Sequence, residues 1–118
     1  MSPPRSLMIV LYVHDMQRAV AFYRDAIGLT EVSRSTGWSM LSCGDAFVGL
    51  HLLDRGATES TVAHAGLNLR VDDLDAAIAR VVAGGARLCE SREPEPRVPV
   101  RLGVLVDTEG NGFELRQQ

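Results

Sequence analysis

The side chains in this sequence that could do chemistry are spread along strand-like stretches, not gathered into a catalytic signature. It has no serine nucleophile elbow, no cysteine next to a base, no glycine-rich phosphate loop and no paired-histidine zinc motif. What remains is a set with mixed recognition chemistry. Tyr12, His51, His64 and Asn68 offer hydrogen bonds, Trp38 and Met40 offer aromatic and apolar contact, Arg70 and Arg101 suit an anionic group, and Glu114 suits a cationic or hydroxyl one. Such a mixture on one sheet face fits the lining of a small-molecule site, with Trp38 as its stacking platform. Glu114 is also the candidate general base if a proton is moved.

These residues share a face only if the chain forms particular strands, and periodicity supplies them. Met8 to Val13 is a continuous apolar, β-prone run, broken by His14-Asp15 and followed by MQRAVAFYRDAI. In that segment Met16, Val20, Tyr23 and Ile27 recur at helical spacing, Asp15 suits an N-cap, and Gly28 suits the position after the helix. Phe22 and Tyr23 are expected in the core, and Arg18 and Arg24 toward solvent. Strands are expected near 30–35, 37–43 and 45–53, the last two joined by a turn at Gly44-Asp45. The passage LRVDDLDAAI from Leu69 then echoes LYVHDMQRAV from Leu11, which indicates an internal repeat. Its continuation is a helix over 74–83, a Gly84-Gly85 stop, a strand near 86–90, a proline-studded loop, and strands over 100–107 and 112–117 joined by DTEGN.

The expected fold class is therefore α+β, with two βαβββ modules forming a cup-shaped mixed β-sheet and helices outside. Module one covers 7–53, a polar linker 54–61 and module two 62–117, all in a single domain. Alternation divides each strand between two faces. Ile9, Leu11, Val13, Val48, Leu50, Leu52, Leu67, Leu69, Val71, Phe113 and Leu115 should meet the helices. Met8, Val10, Tyr12, Trp38, Met40, Phe47, Gly49, His51, His64, Gly66, Asn68, Arg70, Arg101, Gly103, Glu114 and Arg116 should line the hollow. Cys43 falls on the helix-facing side and reads as an inert core thiol. His14 should face solvent, and Asp72, Asp73 and Asp75 read as helix-start charges.

Composition narrows the function classes. All twelve basic residues are arginine, no basic run occurs, and the net charge is −3, which argues against nucleic acid and anionic membrane as partners. No apolar run approaches the roughly 20 residues of a membrane span. The start MSPPRSL carries no apolar signal stretch, so a cytoplasmic protein with two reduced thiols is expected.

The passages LYVHDMQRAVAFYRDAIGL, LNLRVDDLDAAIARVVAGGARL and VDTEGNGFEL, in that order, resemble the vicinal oxygen chelate superfamily of glyoxalases, bleomycin-resistance proteins and extradiol dioxygenases. The likeness runs from about Leu7 to Arg116. It implies paired βαβββ modules, commonly completed in a homodimer. In metal-dependent members four positions supply ligands, and here they fall on Met8, Gly49, Gly66 and Glu114. One carboxylate does not make a catalytic metal site. A displaced site using His51, His64 and Glu114 would shift the imidazoles ~6–7 Å along their strands, so no cofactor is expected, although a divalent metal stays open. The resemblance thus implies a metal-free protein that binds or sequesters an aromatic or polycyclic compound, closest in character to antibiotic-resistance members. The alternative is a superfamily enzyme, a lyase, isomerase or ring-cleaving dioxygenase, using a displaced metal or acid-base residues.

Overall fold

The computed structural model describes residues 7–53, 66–96 and 99–118. Strand β1 (Leu7–Val13) leads into helix α1 (Met16–Ala21), which continues as a π-helical turn over Phe22–Ile27. Strands β2 (Thr30–Arg34), β3 (Trp38–Cys43) and β4 (Ala46–Leu52) follow. The same order then recurs as β5 (Leu67–Arg70), α2 (Leu74–Ala83), β6 (Arg87–Arg92), β7 (Arg101–Val106) and β8 (Gly112–Gln117). Each set builds a mixed four-stranded sheet of identical topology, β1-β4-β3-β2 and β5-β8-β7-β6, in which only the first and last strands of a set run parallel. The linker expected over 54–61, and His64, lie outside the described residues. Among those described, no helix is long and apolar enough to cross a membrane.

Local signals account for the helix ends. The Asp15 and Asp73 carboxylates accept from the backbone N–H groups of Arg18 and Ala76, so each helix opens on an N-cap. The first helix closes at Gly28, whose φ of 98° is the left-handed conformation that glycine adopts without strain; the N–H groups of Gly28 and Leu29 both reach the Tyr23 carbonyl. Each helix covers the apolar face of its own sheet, and the two also meet. Gly84 makes that meeting possible, because a Cβ there would lie 2.4 Å from the Ala26 Cβ. One apolar core therefore runs through both modules, from Leu11, Tyr23 and Leu50 to Leu74, Leu105 and Phe113, with the Phe22 and Phe113 rings edge to face across the junction.

The modules are also tied by a polar clamp. Glu109, in the turn between β7 and β8, has a fully buried side chain and accepts from the backbone N–H groups of both His14 and Asp15, at 2.7 and 2.9 Å. Its second oxygen takes the Arg18 Nε and the Thr108 hydroxyl. Alongside, Tyr23 donates its hydroxyl to Asp107 at 2.5 Å, and Asp107 receives the backbone N–H groups of Glu109 and Asn111. The second module thus anchors the entry to the first helix of the first module. Burial works against the Glu109 charge, but the Arg18 guanidinium and the two backbone donors outweigh it and leave the carboxyl below its usual range. Burial, then the Asp107 charge, pushes the Tyr23 phenol well above its usual range, so it stays a donor.

Three expectations need correction. The strands do not join in one sheet: the outer edges of β1 and β5 are not hydrogen-bonded to each other, because the two helices meet beneath them and hold the edges apart. Strand β7 has the opposite phase, with Arg101 and Gly103 turned toward α2. Its LGVLV run is apolar on both sides, so alternation could not fix the phase, and the Ile78 side chain packs against Gly103. Cys43 is exposed, since it ends β3 beside the Gly44 turn, beyond the cover of α1.

Because Glu109 is held charged, its contribution is present at neutral pH and is lost as pH falls from about 4.3 downward. Glu109→Gln is expected to cost about 1–3 kcal/mol at pH 7 and to flatten that acid dependence, as read by denaturant unfolding at pH 7 and pH 4. Gly84→Ala should cost a similar ~1–3 kcal/mol through overpacking at the helix contact, measurable in the same assay.

Candidate functional site

The outward face of the first sheet is aromatic and apolar. Register places Tyr12 and Trp38 on either side of His51, with Met40 beside Gly49. The Tyr12 ring lies 5.6 Å from the imidazole, and the Trp38 indole stands edge to face with it at 6.2 Å. The indole also lies across Gly49: a Cβ at that position would sit 2.3 Å from Trp38 Cη2 and 3.1 Å from the Met8 sulfur. Glycine is required there because the tryptophan occupies the space where a side chain would stand. Met8, Val10 and Tyr12 are between 41 and 49% exposed, so this platform is open to a ligand or partner.

The outward face of the second sheet is polar. Asn68 donates to Glu114 at 2.9 Å and accepts from the Arg116 guanidinium, so one amide orients both charged groups. Arg92 pairs with Glu90, and that hydrogen bond, followed by the nearby carboxylates including Glu114, raises the guanidinium above its usual range. Arg70 pairs in register with Arg116 but sits on the edge strand, where it lines the cleft between modules. Arg101 reaches away from this face, to Asp75 at the start of α2 and to Glu93.

Within the described residues, then, the expected site residues form two groups on separate sheets. Tyr12, Trp38, Met40 and His51 share one face, and Asn68 and Glu114 share the other. The clamp residues Arg18, Tyr23, Asp107 and Glu109 were not distinguished by the sequence as a unit, since their partners lie more than eighty positions away. The only local sign is the alternation of Asp107, Glu109 and Asn111 in one turn.

The donor set also bears on a metal. Of the four positions at which the resemblance places ligands, Met8, Gly49 and Gly66 carry no imidazole or carboxylate, and the indole and thioether fill the volume above Gly49. No group of three or more His, Cys, Asp or Glu residues among those described could hold an ion. The residues at these four positions do not fit the metal site that the resemblance implies.

Comparison with known proteins follows from this geometry. A glyoxalase-like domain model matches residues 8–116. The chain belongs to the glyoxalase-like domain family. Solved structures share the fold of this glyoxalase-like protein. It is similar to TnmS3, an antibiotic binding protein from Streptomyces sp. CB03234, at 25% identity over 99% of this chain and 98% of that one, with a TM-score of 0.74. It is similar in fold to a glyoxalase/bleomycin resistance protein/dioxygenase family enzyme from Burkholderia phytofirmans PsJN, at 20% identity over 93% of this chain and 95% of that one, with a TM-score of 0.75. A variant of the fosfomycin resistance protein FosX from Listeria monocytogenes, complexed with Mn(II) and 1S,2S-dihydroxypropylphosphonic acid, matches in fold at 20% identity over 98% and 90% of the two chains, with a TM-score of 0.77. Comparison with curated proteins found no match.

Gly49→Ala should force the indole off the sheet of this glyoxalase-like protein. As Trp38 is its sole tryptophan, a changed emission maximum and a loss of about 1–3 kcal/mol in unfolding free energy are the expected readouts; an unchanged spectrum would contradict the placement.

Proposed function

We propose that the protein binds an aromatic or polycyclic small molecule on the Trp38 face, without a metal ion and without turning it over. The observation that carries this reading is the indole laid over Gly49, edge to face with His51 and flanked by Tyr12. It is an aromatic platform with hydrogen-bonding groups at its rim. Stacking of a flat ligand on that surface needs no bond-making, which agrees with a donor set unsuited to the superfamily's metal. A relative that is an antibiotic binding protein supports sequestration of an antibiotic-like compound as the role.

The exposed apolar strand β1 supports a homodimer in which the aromatic face of one copy is closed by a second copy. Asn68 and Glu114 on the polar face would then supply directional hydrogen bonds to the ligand, and His64 joins the proposed lining from outside the described residues. We assign the protein to the cytoplasm, consistent with two free thiols.

Fluorescence titration with an anthraquinone and with bleomycin, alongside elemental analysis of the purified protein, tests the reading. Saturable quenching of Trp38 emission without stoichiometric metal is expected. Calorimetry should show Trp38→Ala weakening the bound compound about tenfold or more, the order of one lost aromatic stack. Stoichiometric divalent metal, or unaltered affinity in Trp38→Ala, would overturn it.

A further inference from the structure

Between the two modules lies a cavity, separate from the Trp38 face. It has a volume of about 470 Å³ and opens between the unjoined edges of β1 and β5, above α2 and the end of the π-helical turn. Its walls are apolar, with Ile9 and Val48 from one module facing Leu69, Val71 and Leu115 from the other. Ile9, Val48, Leu69 and Leu115 are helix-facing side chains, so the body of the cavity lies on the opposite side of each sheet from Trp38 and Glu114, while the outward-phase residues Phe47, Asn68 and Arg70 reach its mouth at the strand edges. In size and lining it falls within the range of small-molecule sites.

One end of the cavity is charged. Arg70 and Arg80 line both the cavity and an adjoining hollow, which Asp72 and Asp73 also border. Arg18, Arg24, Arg34, Arg92 and Arg101 each pair with a carboxylate. Arg70 and Arg80 pair with none among the described residues. Arg80 is instead fixed by its Nε, which donates to the Ala26 carbonyl at 3.0 Å and leaves the terminal nitrogens of the fork available. Two such guanidinium groups at the end of an apolar cavity suit a planar carboxylate, which each can hold through parallel hydrogen bonds. The two neighbouring aspartates keep the local charge near balance, which favours a monoanion over a dianionic phosphate.

We propose that this cavity is a second binding site, for a small molecule that joins an apolar body to a single carboxylate. The body fills the space between Ile9 and Leu69, and the carboxylate rests on Arg70 and Arg80. The site stands apart from the aromatic platform and does not depend on what that platform binds.

Decanoate is the probe, titrated into the full chain by calorimetry and by backbone-amide NMR, with decan-1-ol as its uncharged counterpart. Saturable binding is expected, with resonance shifts centred on Ile9, Leu69 and Ala77. The double variant Arg70→Gln/Arg80→Gln, at exposed positions, should weaken decanoate about tenfold or more, the scale of lost charge-assisted hydrogen bonds, and leave the weaker decanol binding unchanged. Trp38→Ala should bind decanoate as the parent does, whether or not the aromatic face proves functional. Absence of saturable binding, undiminished affinity in the double variant, or shifts centred on Tyr12 and Trp38 would each overturn the proposal.

Discussion

A single buried carboxylate holds the two halves of this protein in register. Glu109 lies in a turn of the second module, yet its partners are the backbone N–H groups of His14 and Asp15, just ahead of the first module's helix, and the Arg18 side chain in that helix's first turn. A buried carboxylate without such donors would be expelled or protonated. With them it satisfies the two backbone donors where the chain enters the helix, and it fixes where the β7-β8 turn sits. Tyr23 and Asp107 extend the same contact into the core, and Asn111 reaches the Tyr12 carbonyl, so the clamp also sets the end of the strand that carries the aromatic face.

From that constraint follows the division of labour between the sheets. Each helix occupies the apolar side of its own sheet, and the helices meet through the Ala26–Gly84 contact. The opposite sides are left free to differ. One carries rings and thioethers around a glycine, and the other carries an amide-centred network of charges. The duplication supplied the scaffold twice, while substitution on the outward faces gave each copy its own chemistry.

Much of the architecture was legible before any coordinates. The helix over 74–83, the Asp15 cap, the Gly28 stop and the turn at Gly44-Asp45 rest on local rules: periodicity, capping oxygens and positive φ. Alternation worked on β1, β4 and β8, where apolar and mixed positions differ sharply. It failed on β7 because Leu102, Val104, Leu105 and Val106 are apolar on both faces, leaving no contrast to read. Cys43 was misplaced for a related reason, since phase along a strand does not say where the covering helix ends.

Taken alone, the sequence determined what is local and periodic: the elements, their order, their caps and the two kinds of face. Tertiary structure alone decided which distant groups meet. The Glu109 clamp spans more than ninety positions, the indole over Gly49 depends on cross-strand register, and the separation of the β1 and β5 edges depends on two helices touching. Side-chain periodicity encodes a preference for a face and carries no information about the partner across it; that partner is chosen only when packing, capping and burial are satisfied together.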